Sequence, residues 1–599
     1  MERITARGVW RNVALAALFT ALAVGVLYPA LEHISWWGVH DWSQFYTYFG
    51  VPRRAIVEYQ EMPGWNPYFY GGNVQWGHPD DATLSPIFLP ILLWGEVIGA
   101  KINILMVLVG GMFSMWFLAR RLKLSATAAL FAAAVWGLNG WHAYHFAVGH
   151  CDHLTFLFQP LAVLFFLKSM DDLRWSIALG AVTALMFLSG GPYPFVFTLE
   201  LAGVLALLFA GQRNSFRPLA AYGLGVLFTL GFAAVKLLAS AQFMLYSVPG
   251  KPDISGTGLA VLWRALFDPS LPMYGSYAWT GYGAWEYGAF IGYLPAALFA
   301  VGAVVTARRT WPWLAMGAIF LVASFGAASP LNLFSVLTGA PGLWGMHVPF
   351  RFVIHFILAA ALVGGMGLDW ICERARRTRL KAAALGLAVA LTAVAAGDLV
   401  RMHYDRPVPL YRLASYFVPG EAYGGPKEFA PVAPLSSEAR RYVPLTYAQP
   451  LALYTAFLDG RRLSWGYDAV HLKEAAHFPG QEGYRGEAYI EPAGAGNAEI
   501  VGQSLSEFTV KYDSAAPGTL VLNQNYHPAW RVNGAAGGAF NEEGLVAVEV
   551  DEGSGEVTFV YRPVARVIGA AMTLLAIAGA VVFARRRRTG ATAASSEGL

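Results

Sequence analysis

Asp41, preceded by His40, stands ten residues beyond an apolar run from Val13 to Leu31. A carboxylate there could take a proton from a hydroxyl group as a general base. It could instead ligate a divalent cation, or do neither as a helix cap or a solvated loop acid. Downstream come Gln44, an acidic pair at Asp80 and Asp81, and a turn-rich aromatic segment from Pro63 to Gly72. That segment holds Trp65, Asn66, Tyr68 and Tyr70. Aromatic rings and a side-chain amide suit the apolar face and hydroxyls of a sugar, and they suit a membrane-interface belt as well. His40, Gln44, Trp65, Asn66, Tyr70, Asp80 and Asp81 are therefore the candidates for contact with a sugar or an acceptor.

A second constellation packs four histidines, His142, His145, His150 and His153, with Asp152 into twelve residues. His150, Asp152 and His153 could hold a divalent metal ion, although the spacing matches no sharp zinc signature. The same side chains could contact phosphate oxygens. Arg351 follows His347 at the start of an apolar run, and Lys236 lies near the end of another. Cations at membrane depth are costly unless they snorkel or pair with an anion. A lipid phosphate is a natural partner, and a guanidinium can grip it with two hydrogen bonds. Arg351, Lys236 and His347 are accordingly the expected phosphate-binding set. Glu200 falls in the middle of an apolar run and has no assigned role.

The elements that must position these residues are membrane helices. The chain is 56% hydrophobic and 13% charged over 599 residues, whereas soluble domains carry about 25% charged residues. About twelve spans are expected, near 13–31, 102–119, 125–141, 154–168, 174–190, 193–211, 218–238, 289–306, 312–328, 349–369, 380–398 and 565–584. The stretch 84–99, with Pro86 and Pro90, reads as only partly embedded. Basic clusters at 120–123, 168–174, 213–217, 308–309, 374–381 and 585–588 fall on the side of the N-terminus. This asymmetry predicts that both termini are cytoplasmic. The expected outer pieces are then 32–83, 142–153, 239–288, 329–348 and 399–564. Cys151 and Cys372 fall at opposite faces, which excludes a disulfide between them. The net charge of +4 reflects the basic loops and not a nucleic-acid surface.

Residues 399–564 are less apolar. Alternating patterns at Thr519 to Leu522 and Glu556 to Tyr561 predict β-strands bounded by turns. The size suits one domain. The expected organisation is a helical membrane domain over 1–398 with a large first outer loop at 32–83. A β-rich extracytoplasmic domain follows at 399–564, then a last helix at 565–584 and a basic tail at 585–599.

Several of these residues together resemble a known family. An early loop acid, Asp41, precedes Pro63-Gly-Trp65-Asn66-Pro67-Tyr68-Phe-Tyr-Gly71-Gly72 and Leu84-Ser85-Pro86. Val348 to Phe352, the stretch from Leu520 to Trp530, and Val560 to Pro563 complete the pattern. The set resembles the YfhO-like membrane proteins and their relatives in the GT-C glycosyltransferase superfamily. That resemblance implies a GT-C-like fold of many helices with a large first outer loop. It also implies transfer of a sugar from a polyprenyl-phosphate donor to an extracytoplasmic glycan, lipid or protein, with inversion. Asp41 would be the catalytic base, and Arg351, Lys236 and His347 would meet the donor phosphate. Two rival readings remain at this stage. One is a transporter or flippase of a lipid-linked saccharide, which predicts polar residues through the spans and an inverted repeat. The other is a non-catalytic scaffold for envelope assembly.

Overall fold

A computed structural model describes residues 6–248, 255–272, 282–339, 346–377, 381–417, 442–443, 452–463 and 470–585. A helix occupies each expected span, because uninterrupted apolar runs leave the backbone no other way to satisfy its own hydrogen bonds in lipid. Eight helices among the described residues are long and apolar enough to cross a bilayer. They are Trp10–Leu31, Phe88–Arg121, Cys151–Asp171, Pro192–Arg213, Arg217–Tyr246, Pro349–Arg376, Ala383–Met402 and Val564–Arg585. The chain is thus a multi-pass membrane protein, with eight full-length spans by this measure where twelve were expected. The difference lies mainly in short helices. Ala126–Leu138, Ser176–Leu188 and Tyr293–Val305 have 13 residues each, about 20 Å against a hydrocarbon core of about 30 Å. The stretch expected to be partly embedded opens the helix Phe88–Arg121, which breaks at Gly95 with φ 81°.

Several of the basic helix ends lie near one another. Arg121 pairs with Asp171 at 2.5 Å, and Arg217 donates to the Asp171 carbonyl at 2.6 Å. Ser125 donates its amide to Asp369 at 2.7 Å. Helix Val353–Arg376 starts beside Arg351 at the opposite end and is buried along most of its length. Helix Val564–Arg585 packs on Arg217–Tyr246 so closely that a Cβ at Gly569 would lie 2.3 Å from the Ala234 carbonyl oxygen.

Between the last two long helices the chain forms two four-stranded antiparallel sheets. One has the order Phe540–Glu542, Leu545–Val550, Gly518–Asn525, Ala488–Glu491, and the other Gly496–Gln503, Glu507–Ser514, Gly553–Tyr561, Trp530–Asn533. Ile490, Leu520, Leu522, Val546 and Val548 from the first share one apolar core with Phe508, Val510, Val557 and Phe559 from the second. This is a β-sandwich, the arrangement that alternating inward side chains produce.

The first loop is built into that sandwich. Trp65 is fully buried, its indole donates to Gln524 at 2.9 Å, and its ring lies 5.0 Å from Trp530. The Asn66 side chain accepts the Tyr68 amide at 3.0 Å and so closes its own turn. Tyr70 stacks on His471 at 4.1 Å with only 2% of its surface exposed. The expectation that Trp65, Asn66 and Tyr70 line a sugar site meets three buried side chains: Trp65 and Tyr70 join the loop to residues of the strand-rich segment, and Asn66 closes its own turn. Asp81 likewise braces a turn, accepting from Gln75 at 2.9 Å and Thr83 at 2.5 Å, with Asp80 in the same turn.

Lys236 is a second correction. Its ammonium donates to the carbonyls of Pro79, Asp81 and Phe187 at 2.7, 2.6 and 2.9 Å. An ammonium has three protons, so none remains for a phosphate. Lys236 clamps the end of the first loop onto the helical bundle.

Asn525 is the main polar pin of the loop. It donates to the Tyr70 and Gly72 carbonyls at 2.5 and 2.9 Å and accepts the amides of Ala475 and Ala476 at 2.9 and 3.2 Å. Asn525→Ala strands these buried groups, at about 1–3 kcal/mol for each left unsatisfied. Hydrogen exchange should then rise across 63–76 and 470–477 while the sandwich strands stay protected. Unchanged exchange in those loops would refute the pinning role.

Candidate functional site

Asp41 caps the helix Trp42–Val57 by position but not with its side chain. The carboxylate is turned outward to histidines instead. Oδ1 lies 2.8 Å from Nδ1 of His40, and Oδ2 lies 3.0 Å from Nε2 of His150. His40 reaches this position because its backbone is left-handed, with φ 62°. The Asp41 amide donates to Val148 at 3.0 Å, and the Trp42 indole donates to Ala147 at 2.9 Å. Gly149 permits this approach: its φ is 92°, and a Cβ there would sit 2.5 Å from the Trp42 amide nitrogen. Two loops far apart in sequence are thereby locked backbone to backbone.

The His-rich piece folds as a short helix, Gly140–Ala147, and a 3-10 turn starting at Cys151. Nδ1 of His145 lies 2.6 Å from Nδ1 of His150, and the His153 ring stacks 4.7 Å from that of His145. Nδ1 of His153 is 2.8 Å from the Asp152 carboxylate. Beyond His153, Tyr193 stacks at 5.2 Å, and the Arg351 guanidinium lies 4.4 Å above the Tyr193 ring. The Tyr193 hydroxyl is 2.9 Å from Nδ1 of His347. His40, Asp41, His150, His153, Tyr193, His347 and Arg351 thus form one continuous polar cluster. Gln44, one turn into the helix from Asp41, is buried. His142 stays apart from the metal-capable groups, its ring edge-on to Trp136 and Trp141.

Arg351 does not stand alone. Nε and Nη2 grip Glu286 at 2.8 and 2.5 Å in a two-pronged ion pair that is buried on both sides. The expectation that a lipid phosphate is its first partner is corrected: the anion comes from the protein. The sequence reading passed over Glu286 and Tyr193. An acid among the aromatics of Trp285-Glu286-Tyr287, in an expected outer piece, was the available signal for Glu286. Trp285 from the same short helix lies 4.4 Å from His40.

The electrostatics follow from these contacts. Burial disfavours the Asp41 charge, but His40 and His150 outweigh it and hold the carboxyl well below the usual range. Burial also opposes protonation of His40, and the charge and hydrogen bond of Asp41 reverse that and raise its pKa. For Glu286, Arg351 overcomes burial and keeps the acid ionised. Asp41 and His40 retain some access, with side chains 15% and 19% exposed, whereas Glu286 and Arg351 are sealed at 3% and 5%. Among the described residues two groups have ligand atoms close enough to share an ion, His145 with His150 and His153, and His40 with Asp41 and His150. Asp152 belongs to neither group, because its carboxylate is turned to His153.

No protein-family model matches the chain, and no curated protein matches it. The YfhO-like resemblance therefore rests on its motifs alone. Among solved structures the chain is similar to the crystal structure of ArnT from Cupriavidus metallidurans bound to undecaprenyl phosphate. That likeness has 14% identity and covers 75% of this chain and 85% of that one, with a TM-score of 0.36. At that score it carries no argument about chemistry, so the functional reading rests on the site.

Removing one member of a buried ion pair costs about 3–5 kcal/mol, whereas replacing both with apolar groups is often neutral. Glu286→Gln should therefore lower the thermal unfolding midpoint in detergent markedly. The double variant Glu286→Leu with Arg351→Leu should recover most of the loss. A single variant that melts like the parent would remove the pair from the forces holding this cluster.

Proposed function

We propose that this protein is a membrane glycosyltransferase that moves a sugar from a polyprenyl-phosphate donor to an acceptor hydroxyl on the extracytoplasmic side, with inversion. The observation that carries the reading is the Asp41–His40 pair at 2.8 Å, partly accessible and continuous with the cluster around Arg351. Surface chemistry of this kind needs a base, an anion-stabilising group and a water-poor setting, and all three meet here.

In the proposed step the acceptor oxygen attacks the anomeric carbon as the carbon–oxygen bond to phosphate breaks. The bonding electrons leave with the phosphate, and the acceptor proton passes to the base. A carboxylate held so far below its ordinary range is a weak base by itself. The proton is therefore assigned to the pair, with Asp41 orienting and stabilising an imidazole that receives it. His347 would meet the departing phosphate; Arg351, already paired with Glu286, would act only by holding Tyr193 and through it His347, and Lys236 drops out because its protons are engaged.

We assign the part of the acceptor remote from the reacting hydroxyl to a cleft beside the sandwich. A cleft of about 840 Å³ is lined by Tyr246, His477, Phe478, Gln481, Tyr526 and Asn541, among others. Rings and amides of this kind suit a glycan.

Purified protein in liposomes, given polyprenyl-phosphate sugars, should release polyprenyl phosphate. Asp41→Asn should lower that turnover by about 10²–10⁴-fold, the usual range for acid–base groups, without loss of folding. Equal turnover in variant and parent would remove Asp41 from the chemistry. An absence of turnover with every donor would favour transport or scaffolding.

A further inference from the structure

The histidines contain more ligand capacity than the proposed transfer uses. His145, His150 and His153 are all buried, and one ring nitrogen from each lies within 4.8 Å of the others. Nε2 of His145 and Nε2 of His153 have no hydrogen-bond partner among the described residues. A buried polar nitrogen without a partner costs free energy, and here two occur on rings that face each other.

Two of the rings turn one nitrogen toward a carboxylate. His150 turns Nε2 to the Asp41 carboxylate, so Nδ1 is the nitrogen directed at His145. His153 turns Nδ1 to Asp152, which leaves Nε2. A carboxylate behind each of two imidazoles is the outer-shell arrangement that orients metal-bound histidines. Charge points the same way. Asp41, Asp152 and Glu286 bring three carboxylates to a neighbourhood with one guanidinium, Arg351.

We propose that His145, His150 and His153 bind a zinc-class divalent metal ion, the ion held by imidazole nitrogens and not by carboxylate oxygens. Three neutral imidazoles select borderline metals such as zinc over magnesium or calcium. Binding requires the 2.6 Å Nδ1–Nδ1 contact between His145 and His150 to open, because it occupies the His150 nitrogen that would face the ion. The ion would fix the His150 ring with Nε2–H aimed at Asp41. That last consequence, unlike the metal site, rests on the role proposed for Asp41.

The test is metal content of the full chain, purified in detergent with a histidine-free tag, stripped with chelator and equilibrated with Zn²⁺. The parent should retain about one ion per chain through desalting, and His145→Gln with His153→Gln less than about a tenth. His477→Gln, outside the cluster, should retain the ion. A parent that retains none, or a double variant that retains as much as the parent, overturns the proposal. Co²⁺ titration of the stripped parent avoids any folding defect of the variant. Strong visible bands of a four-coordinate site support the proposal, and only weak octahedral bands overturn it. Displacement of Zn²⁺ by equimolar Mg²⁺ would also overturn it. None of these readings depends on turnover, so they stand or fall separately from glycosyl transfer.

Discussion

Charge removed from water must meet opposite charge, and the loop-bearing end of this bundle is organised by that demand. Glu286 and Arg351 are each almost sealed from solvent and survive as ions because they hold each other through two hydrogen bonds. Desolvating either alone would cost several kcal/mol. The pair ties a short helix in one loop segment to the first turn of a long buried helix. Around it, Tyr193 offers its ring face to the guanidinium and its hydroxyl to His347. Asp41, His40 and His150 repeat the solution closer to solvent, with imidazoles in place of guanidinium.

Such a cluster needs a rigid frame, since ion pairs at these distances do not tolerate loose loops. The frame comes from contacts very distant in sequence. Asn525 and Gln524 of the sandwich hold the aromatic turn of the first loop. Lys236 in a membrane helix holds the loop's far end by three backbone carbonyls. Lys101 does the same near the start, donating to the carbonyls of Ile34, at 2.7 Å, and Trp36. The two ammonium groups and the Asn525 amide are spent on main-chain oxygens, and Gln524 accepts the Trp65 indole. The sandwich is therefore part of the scaffold of the site as well as a surface with its own cleft.

Several features were legible without coordinates. Apolar runs of sufficient length announce helices, since nothing else satisfies the backbone in a bilayer. Alternation at Thr519 to Leu522 and Glu556 to Tyr561 announces strands, and both segments lie in sandwich strands. Side-chain type was a weaker guide. Trp65 and Tyr70 have the composition of a sugar platform, yet aromatics that bury 150–250 Å² each serve equally to weld two domains. Lys236 and Arg351 were legible as cations out of place, but their partners were not. A lysine satisfied by carbonyls leaves no mark in sequence, and Glu286 is 65 residues from Arg351.

The sequence by itself determined the class: a multi-pass helical membrane protein with a strand-rich segment before its last helix. It did so because hydrophobic length and periodicity are local properties of the chain. It also singled out Asp41 and the histidines, whose chemical types are rare at a membrane surface. Only the tertiary structure decided which of these side chains meet. It brought His40, Asp41 and His150 together through backbone contacts that require Gly149. It also replaced Asp152 with His145 among the metal-capable groups, and gave Arg351 a protein anion. Those outcomes depend on distances between segments far apart in the chain, set by packing and desolvation, which no local pattern encodes.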